Sequence, residues 1–74
     1  MRDQARVEDA IEILRSAIFL HPENFELWNS LGTVLAESGD PAGATTFFAE
    51  ALRLKPDFAR AHNNMANMYE LIGE

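Results

Sequence analysis

Cysteine is absent from the 74-residue chain, which excludes a disulfide framework and a metal site built on thiolates. Basic residues are few, since 6 Lys and Arg stand against 12 Asp and Glu and give a net charge of −6. The basic residues are also scattered rather than clustered. We therefore expect no nucleic-acid partner, and a neutral or basic protein surface is favoured instead.

Long apolar runs are missing as well, because the longest, residues 17–20, has four residues. A membrane helix needs about 20 apolar residues, and a signal peptide also needs a continuous apolar core. We expect no membrane span, and a cytoplasmic protein rather than a secreted one. Hydrophobic residues still make up 47% of the chain, which is ordinary for one small folded domain.

Breaker residues divide the chain into four segments of helical length, at 21–24, 39–41, 55–57 and 73. The spacing of apolar residues predicts helices over about 4–20, 25–38 and 58–72, and a further helix that begins at Pro41. Asp40 is the predicted N-cap of that helix. Since no alternating strand pattern lies between the breakers, the sequence predicts an all-α fold.

A shift of about 34 residues aligns the chain with itself, and this period indicates stacked helical hairpins. Identical residues pair at Ala10 and Ala44, Ala17 and Ala51, Leu20 and Leu54, Pro22 and Pro56, Asn29 and Asn63, and Gly39 and Gly73. Similar residues pair at Leu14 and Phe48, Leu31 and Met65, and Gly32 and Ala66.

With this period the sequence resembles the tetratricopeptide repeat family, whose pattern is W-x2-L-G-x2-Y, then A-x3-F, then P. Here the pattern is carried by Trp28, Leu31, Gly32, Leu35, Ala44, Phe48, Ala51 and Pro56. It departs from the family at Leu35, where Tyr is usual, and at His62, Met65 and Ala66, where the next copy would have Trp, Leu and Gly. The resemblance implies a right-handed superhelix of antiparallel helices.

The resemblance also sets an order of helices, B-A-B-A, within one module over residues 1–74. Helix B of a partial repeat lies at about 4–20, a complete repeat at 25–58, and helix A of another partial repeat at 59–74. His62, which replaces Trp28 in the next copy, is expected to pack between helices. The predicted core is Leu14, Ala17, Trp28, Leu31, Leu35, Phe48, Ala51, Met65 and Tyr69.

Both ends of such a module lack a neighbouring helix, and four of its end residues are unusually apolar. Ile11, Phe19, Leu71 and Ile72 stand where the complete repeat has Thr45, Arg53, Glu37 and Ser38. We expect the four to be covered, either by neighbouring repeats of a longer chain or by a homo-oligomer contact. In the second case Phe19→Arg should reduce the oligomer.

The resemblance further implies that the A helices line a groove that binds a peptide or protein. The candidate residues are Asn29, Thr33, Arg60, Asn63, Asn64 and Asn67. Residues 62–66 are similar to A helices of O-linked N-acetylglucosamine transferases, where an asparagine ladder holds peptide backbone, and Asn64 is the ladder residue by position. The alternative is that these amides are only solvated surface.

The carboxylate clamp of chaperone-tail-binding members is incomplete, because only Arg60 and Asn64 remain of its residues and the groove is acidic. His21 and His62 have no acidic neighbour at ligand spacing, so no metal or other cofactor is expected. Nor is any catalytic arrangement present. The sequence therefore predicts a non-catalytic interaction module; the alternative is the substrate-selecting segment of a larger enzyme such as a glycosyltransferase.

Overall fold

A computed structural model describes residues 4–73, which form helices and the short turns that join them. The helices are α1 (Gln4–Leu20), α2 (Phe25–Glu37), α3 (Pro41–Leu54) and α4 (Ala59–Ile72). Each predicted boundary agrees with the structure to within one residue. The all-α prediction is confirmed for this part of the chain.

Local signals explain where the helices begin and end. Asn24 Oδ1 accepts a hydrogen bond from Glu26 N at 3.1 Å, and Asp40 Oδ1 accepts one from Gly43 N at 3.0 Å, so α2 and α3 each begin at a side-chain cap. At the other end, α2 and α4 are followed by glycines with φ of 97° and 95°, Gly39 and Gly73. Only glycine adopts this left-handed conformation without steric cost.

The sequence repeat is visible in the hydrogen bonds that precede α2 and α4. Trp28 Nε1 donates to the carbonyl of Pro22 at 2.9 Å, and His62 Nε2 donates to the carbonyl of Pro56 at 2.8 Å. In both bonds the acceptor precedes its donor by the same number of positions, and the two bonds lie one repeat apart. The same turn therefore leads into both helices, although one donor is an indole and the other an imidazole.

The helices pack in chain order, each against the next, and α2 also approaches α4. The described residues form a slab of 33 × 32 × 14 Å. Its core is a cluster of Ala44, Phe48 and Met68, against which Leu35 and Met65 pack. The core thus lies where α2, α3 and α4 meet.

Gly32 allows α2 and α3 to approach closely. A Cβ atom added to this residue would lie 2.6 Å from the Phe48 ring and 3.1 Å from the carbonyl oxygen of Ala44. Phe48 is fully buried. The absence of a side chain at residue 32 therefore permits the close contact of α2 and α3.

Two core predictions for α4 are wrong. Tyr69 is 46% exposed and His62 is exposed, whereas Met68, which was not predicted, is buried. The reason is that α4 packs against α3 on one side only. Met68 lies on that side, and within residues 4–73 no helix covers the side that carries Tyr69 and His62. Leu31, Phe48 and Ala51 are buried as predicted, and Leu14, Ala17, Trp28, Leu35 and Met65 are half-buried.

No helix among residues 4–73 combines the length and the apolar character needed to cross a membrane.

Candidate functional site

Two candidate groove residues, Asn29 and Asn64, join α2 to α4. Asn64 Nδ2 donates a hydrogen bond to Asn29 Oδ1 at 3.1 Å. Asn29 is only 4% exposed, and it is the buried polar residue of the described chain. Asn29 is therefore not available to a ligand, contrary to the sequence-based expectation. It is a structural residue that satisfies its hydrogen bond across two helices.

Asn64 remains half-buried, and its amide is oriented by Asn29. Within residues 4–73, its Oδ1 and the second hydrogen of its Nδ2 have no further hydrogen-bond partner. An amide carries an acceptor and two donors. Asn64 thus presents one free acceptor and one free donor, and its hydrogen bond to Asn29 fixes their orientation.

The other candidate groove residues differ in their exposure. Arg60, Asn63 and Asn67 are exposed on α4. Thr33 on α2 is half-buried, and its hydroxyl donates to the carbonyl of Asn29 at 3.1 Å. The candidate set is therefore concentrated on α4, and the contribution of α2 is chiefly to hold Asn64.

An aromatic pair at the beginning of α2 and α4 was missed by the sequence analysis. The rings of Phe25 and Phe58 lie 4.9 Å apart in an edge-to-face arrangement. Lys55 Nζ lies 5.5 Å from the centre of the Phe25 ring, and the Arg60 guanidinium lies 5.9 Å from that of Phe58. The repeat aligns Phe25 with Ala59 rather than Phe58, so it gave no signal for this pair.

Ion pairs at the surface of the described residues are local. Lys55 donates a hydrogen bond to Asp57 at 3.1 Å and thereby lowers the pKa of that carboxyl. Glu50 likewise accepts from the Arg53 guanidinium and raises the pKa of that arginine. Both pairs lie at the surface in contact with solvent, so their contribution to stability is small.

Exposed acids accompany the asparagines along α2 and α4. Glu26, Glu37 and Glu70 are all exposed, against one exposed base on these helices, Arg60. With a net charge of −6 on the whole chain, the potential near these helices is negative. This favours a basic or neutral ligand over an acidic one.

One side of α1 carries a surface that we call the α1 end face: Ala10, Ile13, Leu14, Ala17 and Leu20, of which Ile13 and Leu20 are exposed and the other three half-buried. Ile13 is 68% exposed, and Leu20 is also exposed. The repeat aligns Ile13 with Phe47, whose ring stacks on Trp28 at 5.8 Å. Ile13 was not among the candidate residues from the sequence analysis, although this alignment was available from the sequence.

The outer side of α4 carries the corresponding α4 end face, which consists of the exposed residues His62, Ala66 and Tyr69. The repeat aligns them with Trp28, Gly32 and Leu35, which lie on the side of α2 that packs on α3. Leu71 and Ile72 are exposed at the end of the same helix. On α2, the equivalent face is covered by α3. On α4, no helix among residues 4–73 covers this face.

The remaining predicted contact residues lie elsewhere. Phe19 is 85% exposed and borders a cleft of about 290 Å³ whose other walls include Ile18, Trp28 and Phe47. Ile11 is half-buried beside Leu31, Leu35 and Phe47 in a smaller cavity of about 120 Å³. These two residues therefore line clefts between α1 and the helices beside it, and Phe19 also lines a cleft with Leu20 of the α1 end face.

Among residues 4–73, no group of His, Asp and Glu is arranged to hold a metal ion.

A family model described as Tetratricopeptide repeat matches residues 2–59. The chain belongs to the tetratricopeptide repeat family. This agrees with the period of the sequence, the paired hydrogen bonds before α2 and α4, and the small residue at the α2–α3 contact. Tetratricopeptide repeats are protein-interaction modules, stacked so that they present extended binding surfaces.

Several relatives share most of this chain. Protein FlbA of Caulobacter vibrioides is 50% identical over 66 residues, which is 89% of this chain and 11% of that protein. The peroxisomal targeting signal receptor of Saccharomyces cerevisiae is 37% identical over 59 residues, 80% of this chain and 10% of the receptor. The TPR repeat-containing thioredoxin TTL4 of Arabidopsis thaliana is 36% identical over 66 residues, 89% of this chain and 10% of that protein. The chain spans about a tenth of the length of these relatives.

Proposed function

We propose that this tetratricopeptide module is a non-catalytic binding module whose α2 and α4, acting as A helices, hold an extended peptide segment of a protein partner. Asn64 is the residue that contacts the peptide backbone. Its free acceptor and donor match the N–H and C=O groups that an extended peptide displays. Arg60, Asn63 and Asn67 border the same ligand.

One observation carries this proposal: the amide of Asn64 is held by the buried amide of Asn29 at 3.1 Å. A polar group whose orientation is fixed before binding loses little conformational entropy when the ligand arrives. A merely solvated asparagine would have no such support. The similarity of residues 62–66 to the asparagine-bearing helices of O-linked N-acetylglucosamine transferases agrees with this role and remains part of the proposal.

The test begins with a peptide selected from a displayed library on the wild-type chain. We expect Asn64→Ala to weaken its binding about fivefold or more, because one or two hydrogen bonds worth roughly 1 kcal/mol each are lost. The dissociation constant is measured by titration calorimetry. Thr46→Ala, which removes an exposed hydroxyl from α3, is the matched control and should leave the affinity unchanged.

Asn64→Ala also removes the donor to the buried Asn29, so helical circular dichroism is recorded on every variant. Asn67→Ala, which breaks no hydrogen bond described here, provides a second variant on the same helix. If both variants bind the selected peptide as tightly as the wild type, the peptide does not lie on α4 and the proposal is wrong.

The alternative role, a substrate-selecting segment of a larger enzyme such as a glycosyltransferase, has less support. None of the three relatives described above is named as a glycosyltransferase. The binding experiment applies to both roles, because substrate selection by repeats also requires a bound peptide. We therefore propose the binding module in its general form.

We further propose that the two ends of the module associate with other helices, including those of other copies of the chain. The exposure of Phe19, Leu71 and Ile72 supports this, since a chain of this size rarely leaves so many large apolar side chains in water. The molar mass measured by light scattering over a concentration series tests it. A mass of 8.3 kDa at every concentration would contradict self-association.

A further inference from the structure

We propose that copies of this chain join head to tail, with the α1 end face of one copy packed on the α4 end face of the next. The contact has the register of the α2–α3 contact inside each copy. This inference rests on the proposed association at the ends. In it, each end face is covered by the other end face of a second copy of the chain. The contact continues the packing already present within the chain.

The α2–α3 contact serves as the template. In it, Phe47 stacks on Trp28 with ring centres 5.8 Å apart. Phe48 packs directly on Gly32, where no Cβ could fit without displacing the ring. The residues one repeat before the α3 side of this contact form the α1 end face. The residues one repeat after the α2 side form the α4 end face.

The two end faces differ from the template in compensating ways. Leu14 replaces the larger Phe48, and it would lie against Ala66, which adds the methyl group that Gly32 lacks. A smaller side chain on one face thus meets a larger one on the other, and core substitutions that conserve volume are tolerated best. In the second pair the type of contact changes. The aromatic stack of Phe47 on Trp28 is replaced by the aliphatic side chain of Ile13 on the imidazole ring of His62.

His62 is already oriented for this contact. Its Nε2 donates to the carbonyl of Pro56, as Trp28 Nε1 donates to the carbonyl of Pro22. The ring at this position is therefore held like the tryptophan on which Phe47 stacks. Ala66 is exposed, and Ile13 is 68% exposed, so among residues 4–73 no helix covers either of these two positions.

The pairing is heterologous, because each copy offers one face of each kind. Such contacts produce open chains or rings rather than a closed two-fold dimer. We therefore expect the molar mass of the wild-type chain to rise beyond that of a dimer as the concentration increases.

The experiment blocks each face separately. Ile13→Arg blocks the α1 end face and Ala66→Arg blocks the α4 end face, and we expect each variant alone to be monomeric, with association weakened at least about tenfold by a charge buried without a partner. An equimolar mixture still contains one intact face of each kind. It should form a heterodimer of twice 8.3 kDa and grow no further.

Ala5→Arg is the matched control, since it places an arginine at an exposed position of the same helix but outside the α1 end face. It should leave the association unchanged. Circular dichroism reports whether each variant is folded. If Ile13→Arg or Ala66→Arg loses helix, Leu20→Arg and Tyr69→Arg block the same faces at exposed positions.

Three results would overturn the pairing. In the first, the variants associate as the wild type does, so self-association is retained but the named faces are wrong. In the second, a single variant still forms a dimer by itself, so the contact pairs like faces. In the third, the wild type is monomeric throughout, and association at the ends fails as well. Peptide binding by Asn64 is measured separately and does not depend on these results.

Discussion

Gly32 and Phe48 show how a single small residue determines the packing of two helices. The ring of Phe48 occupies the space that a side chain on residue 32 would need. Alanine has a higher helix propensity than glycine by about 1 kcal/mol, so an isolated α2 would be more stable with alanine at this position. The packing of α3 outweighs that local preference.

We predict that Gly32→Ala lowers the free energy of unfolding by roughly 1–3 kcal/mol, because the new methyl group overpacks the core. Phe48→Leu in the same chain should recover part of this loss, since it frees space beside the methyl group. The two single variants and the double variant are compared by urea denaturation followed by circular dichroism. A double variant whose loss equals or exceeds the sum of the single losses would contradict this account.

Asn29 illustrates a different residue-scale effect. A buried amide without a partner costs free energy, and here the partner comes from α4, 35 residues along the chain. The sequence identified Asn29 and Asn64 as equals on a polar surface. In the structure Asn29 is buried and accepts a hydrogen bond from the half-buried Asn64, the residue that we propose as the ligand contact.

At the scale of single helices, α3 has the most complete start signal. Asp40 Oδ1 accepts from Gly43 N, and Pro41 occupies the first turn, where its missing N–H removes no helical hydrogen bond. The cap also favours the helix through its negative charge near the helix N-terminus. Because α3 contacts both α2 and α4, fraying at its start would weaken its contacts with both helices.

We predict that Asp40→Ala lowers the free energy of unfolding by about 1 kcal/mol through the loss of this cap. Asp40→Asn keeps an acceptor in the same position and should cost only a fraction of that amount. Thermal unfolding followed by circular dichroism measures both variants. Equal losses for alanine and asparagine would show that the hydrogen bond to Gly43 is not the source of the effect.

The two helices α2 and α4 explain the main errors of the sequence analysis at this scale. They share the turn that leads into them and the glycine that follows them. They differ in their neighbours, since α2 packs between α1 and α3, whereas α4 has α3 on one side and, within residues 4–73, no helix on the other. Tyr69 and His62 were predicted to be buried by analogy with Leu35 and Trp28. The analogy fails because a side chain is buried only where another helix covers it.

At the scale of the whole molecule, charge determines which ligands approach. The net charge is −6, and the acids of α2 and α4 lie beside the proposed binding residues. Opposite charge increases the rate of encounter more than it strengthens the final complex. Peptides selected on this chain are therefore expected to be enriched in Lys and Arg.

We predict that the affinity for such a basic peptide falls several-fold as NaCl rises from about 0.05 M to about 0.5 M, because salt screens exposed charges. Glu70→Gln should reduce this salt dependence. Glu8→Gln removes an acid that is also exposed, from α1 rather than from the helices of the proposed groove, and should change the salt dependence less. Fluorescence anisotropy over a salt series measures the slopes; equal slopes for the two variants would contradict binding at α4.

Part of the candidate site could be predicted from the sequence, and part could not. The asparagines and the apolar ends were identified because aligning the repeats shows which side chains depart from the pattern. The pair of Phe25 and Phe58 could not be found in this way, since its members are not equivalent in the repeat. The separation of Phe19 from Ile13 required the packing of α1 on α2, which places only one of them on the α1 end face.

The sequence by itself determined the four helices, their boundaries and the family, because caps, breakers and apolar spacing act within a few residues of one another. It also determined which positions of the two repeats are equivalent, which is a property of order along the chain. Only the tertiary structure decided which equivalent positions are buried. The physical reason is that burial depends on a neighbouring helix, and residues at equivalent positions, such as Leu35 and Tyr69, have different neighbours in this chain.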